Sequence, residues 1–274
     1  MPNCLSCGRQ APPSDDPQPI CPDCRAAIIA RAQSQNAFPG RSAVVAQQMP
    51  LTLAIVALNV LVFALMVLSG VSPGVPEPPQ LIRWGADFGP LTLTTQPWRI
   101  LTSNYIHIGA LHILLNMWCL WNLGALAERI FDRWTYFLTY TACGLAGSIV
   151  SLWRHPMSIG AGASGAIFGM AGALISALYL ARLPVHPSAL KATLKSLLSF
   201  AGYNLFFGTV VPGIDNSAHL GGFVTGLLLG AVLARHLTST ADDKTAWRNW
   251  VFLAAGVLLF LGFHMVRRSA LRGL

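Results

Sequence analysis

The sequence predicts an all-α polytopic membrane protein carrying a small N-terminal appendage, on three observations. Of its 274 residues 54% are hydrophobic and only 10% charged, against roughly a quarter charged in an ordinary soluble domain. The apolar residues gather in runs near the ~20-residue length that spans a bilayer. The first of these runs begins only after about residue 50. A chain with ten Asp and Glu in all cannot cover a water-facing surface, so soluble enzyme folds, disordered tails and secreted disulfide scaffolds are excluded.

A net charge of +8 could indicate nucleic acid, but Lys and Arg are scattered singly between apolar runs and not gathered on one aromatic-laced face. The expected partner is instead the lipid bilayer, whose anionic cytoplasmic leaflet attracts the basic residues.

The chain divides into residues 1–30, a linker at 31–49, a membrane core at 50–237 and a C-terminal segment at 238–274. In the first segment Cys4-x-x-Cys7 and Cys21-x-x-Cys24, separated by thirteen residues, have the spacing of a Cys₄ zinc ribbon or knuckle. Gly8 suits the turn after the first hook and Pro22 stiffens the second. So short a module has no room for a core without metal. Structural zinc is therefore expected in preference to redox dithiols, with a reducing cytosol keeping the thiols available. Whether the module binds a protein partner, senses metal or simply folds stays open. Pro12 to Pro19 and the Gln-rich stretch before Met49 read as loop and linker. No signal peptide is expected, because no early apolar stretch with a cleavage site is found.

Seven helical runs follow, near 51–69, 111–127, 134–152, 164–181, 195–211, 217–236 and 248–266. The fifth is interrupted by Gly202, Tyr203 and Asn204. The loop of about forty residues between the first two carries Leu81, Trp84, Phe88, Leu91, Trp98 and Ile100, and is expected in the membrane interface. Of the eighteen Lys and Arg, twelve fall with the N-terminus and on its side of the runs, and six fall opposite: Arg83, Arg99, Arg154, Arg267, Arg268 and Arg272. The positive-inside rule then puts the N-terminus in the cytosol. The three C-terminal arginines run against it, which makes the full crossing of the seventh run the weakest point of the topology.

Three polar groups lie inside runs, where they need a reason: His112 with Asn116, Ser164 within Gly162-Ala163-Ser164-Gly165, and His219 within Asp215-Asn216-Ser217-Ala218-His219. Each stands near the start of an even-numbered run, so all share one depth on the external side. His112 and Asn116, four apart, stack on one helical face, and both can donate hydrogen bonds. Ser164 opens a helix, where free N–H groups would stabilise an oxyanion. His219, Gly222 and Gly226 share a face that a second helix can approach closely, and Ser164, Gly165, Gly169 and Gly172 offer the matching surface. Packing the two would make Ser164 and His219 a Ser-His dyad. Singly, such a Ser bonds its own backbone and such a His a neighbouring helix; three groups at one depth favour catalysis. Asp215, one turn before His219, could orient it but is expected to cap the sixth helix, and His107 is expected to lie in the interface. His155, His186, His236 and His264 look unspecialised. The G-x-G-x-x-G at Gly160 to Gly165 lacks a βαβ unit, H-E-x-x-H is absent, and no pair of membrane aspartates occurs.

At these residues the sequence resembles the rhomboid family of intramembrane serine proteases. The likeness runs from about Leu51 to His236, through Trp98-Arg99, His112-Ile-Leu-Leu-Asn116, Gly162-Ala-Ser164-Gly165 and Ala218-His219-x-x-Gly222-x-x-x-Gly226. It implies a six-helix core, with the seventh run outside it. It also implies Ser164 as nucleophile, His219 as general base and then acid, and an oxyanion hole from Asn116, His112 and the Ser164 backbone N–H. Its substrates would be transmembrane segments, cleaved near the external membrane face without a catalytic cofactor. Phe168 departs from a Tyr found in some members; it can still pack on the histidine but donates no hydrogen bond. The expected setting is a bacterial cytoplasmic membrane. The alternative is a non-catalytic relative that binds transmembrane segments for quality control.

Overall fold

The computed structural model describes residues 3–4, 6–10, 20–27, 49–181, 186–235, 237, 239 and 241–272. They form two compact units, Met1–Gln47 and Gln48–Leu274. His236, which the sequence left unspecialised, the basic residues Arg31, Arg41 and Arg182, and most of the linker lie outside the described residues.

The larger unit is a bundle of seven long helices: α1 (Pro50–Leu68), α2 (Ala110–Ile130), α3 (Arg133–Arg154), α4 (Ser164–Leu180), α5 (Pro187–Val210), α6 (Asn216–Ala234) and α7 (Ala241–Arg272). Among the described residues, α1, α2, α3, α6 and α7 are long and apolar enough to cross a membrane. The protein is an all-α polytopic membrane protein. At 17 residues α4 is shorter, about 26 Å. It is buried on nearly all sides, so it needs no lipid-length surface of its own. The interruption expected in the fifth run is absent: α5 continues through Gly202-Tyr203-Asn204 and starts earlier, at Pro187. A proline at the first helical position costs no backbone bond, and the Asn204 amide donates back to the Phe200 carbonyl at 2.8 Å.

Caps set the helix starts. Asp132 accepts the Trp134 and Thr135 amides, each at 3.0 Å, at the head of α3. At the head of α1, where Pro50 opens the helix, Glu128 of α2 accepts the Thr52 amide at 2.6 Å and its hydroxyl at 2.7 Å. The external loop folds into short helical turns at Pro78–Trp84, Gly89–Thr92 and Arg99–Thr102, and a strand pair in which Asp87 faces Gly160 and Phe88 faces Ile159. The Arg99 guanidinium is buried there, donating to the Ile82 and Ala86 carbonyls at 2.6 and 2.8 Å.

The centre of the bundle is the α4–α6 contact. A Cβ on Gly222, Gly226 or Gly230 would collide with the carbonyls of Gly165, Gly169 and Ala173 respectively. The two backbones therefore touch at three successive turns, as the glycine spacing requires. α3 closes one flank, where Gly147 sits against the Ala218 carbonyl.

α7 crosses the full height of the bundle. At one end Arg248 pairs with Asp132 at 3.1 Å; at the other Arg267 donates to the Thr94 carbonyl of the external loop at 3.2 Å. The nineteen-residue step from Arg248 to Arg267 rises about 28 Å, close to the hydrocarbon thickness of a bilayer.

Candidate active site

Ser164 is the first residue of α4 and follows Gly162, whose φ of +127° only glycine adopts easily. The Gly162 amide donates to the Ser103 carbonyl at 2.9 Å, which pins the approach to the helix. Here the backbone also comes close to His112. The position that a Cβ would take on Gly162 lies 2.9 Å from His112 Nε2 and 3.8 Å from Ser164 Oγ, so both groups border one small space. The Ile108 amide donates to His112 Nδ1 at 3.3 Å. Nδ1 is thus the acceptor, and Nε2 carries the proton that faces this space.

Asn116 lies one turn further along the same face of α2 and is buried. Its amide nitrogen donates to the His112 carbonyl at 3.0 Å, which leaves one of its two N–H bonds for another partner.

His219 sits one turn into α6 and is buried. Its ring stacks face to face on Phe168, with centroids 4.1 Å apart and planes 9° from parallel. Phe168 is one turn beyond Ser164 on α4, and Gly222, one turn beyond His219, rests on Gly165. The imidazole is therefore held against the turn that carries the serine. Among the described residues no hydrogen bond joins Ser164 Oγ to His219, and His219 Nδ1 has no partner. Nucleophile–base bonds are often open in unliganded sites and tighten with substrate.

Asp215 caps α6, accepting the Ser217 and Ala218 amides at 2.9 and 3.0 Å, and it also accepts the Ser151 hydroxyl of α3. The cap fixes the turn from which His219 rises.

His107 does not face outward. It is fully buried, with its ring edge-on to His112 at 5.2 Å. Burial pushes its pKa down to about 3, so it is neutral. The polarity of a loop histidine had suggested the interface, but the chain at Asn104–Ile106 turns inward and takes the ring with it. Asp87, which the sequence did not single out, is also buried beside the 159–163 segment and accepts the Thr92 hydroxyl at 2.5 Å.

In the smaller unit the sulfurs of Cys4, Cys7, Cys21 and Cys24 lie within 4.8 Å of one another, and Cys7 and Cys21 Sγ are 3.6 Å apart. A zinc ion with four Zn–S bonds of 2.3 Å has sulfur–sulfur edges of about 3.8 Å, so the cluster could hold such an ion. The Cys21 amide donates to Cys4 Sγ at 3.2 Å and pulls that thiol down to about 6, towards the thiolate a metal needs. Gly8 makes its turn at φ +74°.

Comparison with known proteins places these features. The family described as the Rhomboid domain matches residues 94–236. The rhomboid protease GluP of Bacillus subtilis (strain 168) is 37% identical over 209 residues, covering 76% of this chain and 40% of GluP. RHOMBOID-like protein 4 of Arabidopsis thaliana is 38% identical over 54% of this chain and 37% of its own. The rhomboid protease AarA of Providencia stuartii is 30% identical over 70% of this chain and 76% of AarA. The chain thus spans well under half the length of the first two relatives.

Proposed function

Since the chain belongs to the rhomboid family, we propose that it is an intramembrane serine protease, a serine-type endopeptidase that cleaves transmembrane segments of membrane proteins. One arrangement carries the reading: the Phe168 stack and the Gly165–Gly222 contact hold His219 against the Ser164 turn, while His112 Nε2 and Ser164 Oγ border the same space.

In this reading His219 takes the Ser164 proton as Oγ bonds to the scissile carbonyl carbon. The carbonyl π pair moves to oxygen, and the oxyanion is held by the Ser164 N–H, the His112 Nε2–H and the free N–H of Asn116. Collapse expels the amine, which takes the proton from His219. Water then attacks the acyl-enzyme with His219 again as base, and the acid product leaves. The orienting acid of a triad is replaced by packing: Phe168 fixes the ring plane and Asp215 the turn beneath it. A non-catalytic protein that only binds transmembrane segments would need neither a serine at a helix start nor an imidazole stacked beside it.

The excess of basic residues on one side supports a cytosolic N-terminus in a bacterial cytoplasmic membrane. Zinc in the Cys4, Cys7, Cys21 and Cys24 module would cross-link a segment too short for a core.

The test uses purified protein and a model transmembrane substrate. Ser164→Ala and His219→Ala should leave no cleavage above background at normal folding; a Ser164→Ala variant that cleaves like the wild type ends the reading.

A further inference from the structure

The external loop is built of helical turns of four to seven residues and so has little packing of its own. Such segments open easily unless something larger holds them. The loop rests on α1, where Leu81, Ala86 and Ile106 are buried with Met66, on α3, and on α7. Phe263 of α7 is buried with Leu93 of the loop and with Ile149 and Leu152 of α3, and Leu259, Val266 and loop residue Ile100 close around them. Beside this contact Arg267 donates to the Thr94 carbonyl.

From Thr94 a continuous set of contacts leads to the site. Thr92 bonds Asp87, whose strand pairs with Ile159–Gly160. The Gly89 amide donates to the Pro156 carbonyl at 2.9 Å, and the Gly162 amide to the Ser103 carbonyl at the same distance. Gly162 is the residue that places its backbone against His112 and leads into Ser164.

We propose that α7 is a strut for the site and that Arg267 is a positioning residue: by holding the Thr94 carbonyl it fixes the external loop, and through the loop the 156–163 segment that sets Ser164 against His112. The inference rests on the protease reading for its kinetic arm only. It also accounts for an arginine on the side that the positive-inside rule disfavours. Arg267 has a backbone carbonyl to bind there, whereas its neighbour Arg268 is exposed.

The experiment uses the full chain in detergent, with Arg267→Ala, Arg267→Lys and Arg268→Ala. In Arg267→Ala, amide exchange at Gly89 and Gly162 should rise, and kcat on a transmembrane substrate should fall roughly tenfold with KM within about twofold. Arg267→Lys keeps a donor and should recover most of both, and Arg268→Ala should change neither. If exchange at Gly162 is unchanged, or rises with kcat unchanged, the proposal is wrong. It is equally wrong if the Ala and Lys variants lose melting temperature alike while folded protein keeps its kcat, because α7 is then only a staple. Should the wild type show no Ser164-dependent cleavage, the protease reading fails, and the exchange arm still decides whether Arg267 holds the loop.

Discussion

Among the described residues no carboxylate hydrogen-bonds to His219, and its ring stacks instead on the parallel face of Phe168. Stacking of this kind fixes a plane without adding a charge to a membrane interior, where a charge is expensive. At the external end Asp87 is buried. Burial pushes its carboxyl up to about 7, against the Thr92 hydroxyl and the Arg99 charge. In the unfolded chain it ionises near 3.9, so between about pH 4 and 7 the folded state binds more protons. The stability held by that proton is complete below the unfolded value and is lost as pH rises through 7. Thermal unfolding of wild type and Asp87→Asn from pH 4.5 to 8 should therefore show a difference that shrinks the wild type's advantage with rising pH. His107, neutral by burial, bends both profiles equally and cancels; a pH-independent difference would mean that Asp87 is ionised throughout. The candidate residues Ser164, His219, His112 and Asn116 could be singled out from sequence because polar residues in apolar runs stand out. Asp87 and His107 could not, because in a loop polarity is ordinary and only tertiary burial makes it unusual.

Among helices, the α4–α6 pair decides whether the site exists. Gly226→Ala puts a methyl into the Gly169 carbonyl, which backbone cannot yield without separating the helices. A loss of about 1–3 kcal/mol or more is expected, read as a lower melting temperature, with cleavage falling as His219 leaves Ser164. Gly202→Ala is the control: nothing lies within 4 Å of its Cβ position on α5, and it should be neutral or slightly stabilising. Equal effects would deny the close contact. Existence and order of all seven helices followed from apolar run length. Their ends did not: α5 began eight residues early because Pro187 is a good helix start, and α7 reached from Ala241 to Arg272, past both ends of the apolar stretch.

For the whole molecule, the chain joins a membrane bundle to a small cysteine unit whose interior, among the described residues, is Cys4, Cys21, Ile20 and Cys24. So small a core cannot hold without a cross-link. Freshly purified protein should contain about one zinc per chain, absent from Cys21→Ser, and a chelator should unfold this unit; metal-free protein with the unit still folded would remove the zinc assignment. The scarcity of acids, and motif spacing for the Ser-His pair, the glycine faces and the cysteine quartet, are properties of the order of residues alone. They determined a polytopic helical protein and marked the candidate groups for its site, because apolar length and i, i+4 spacing act locally along one helix. Only the tertiary structure decided that Phe168 stacks on His219, that His107 and Asp87 are buried, and that α7 touches the external loop, because each depends on chain segments far apart in sequence meeting in a water-poor interior.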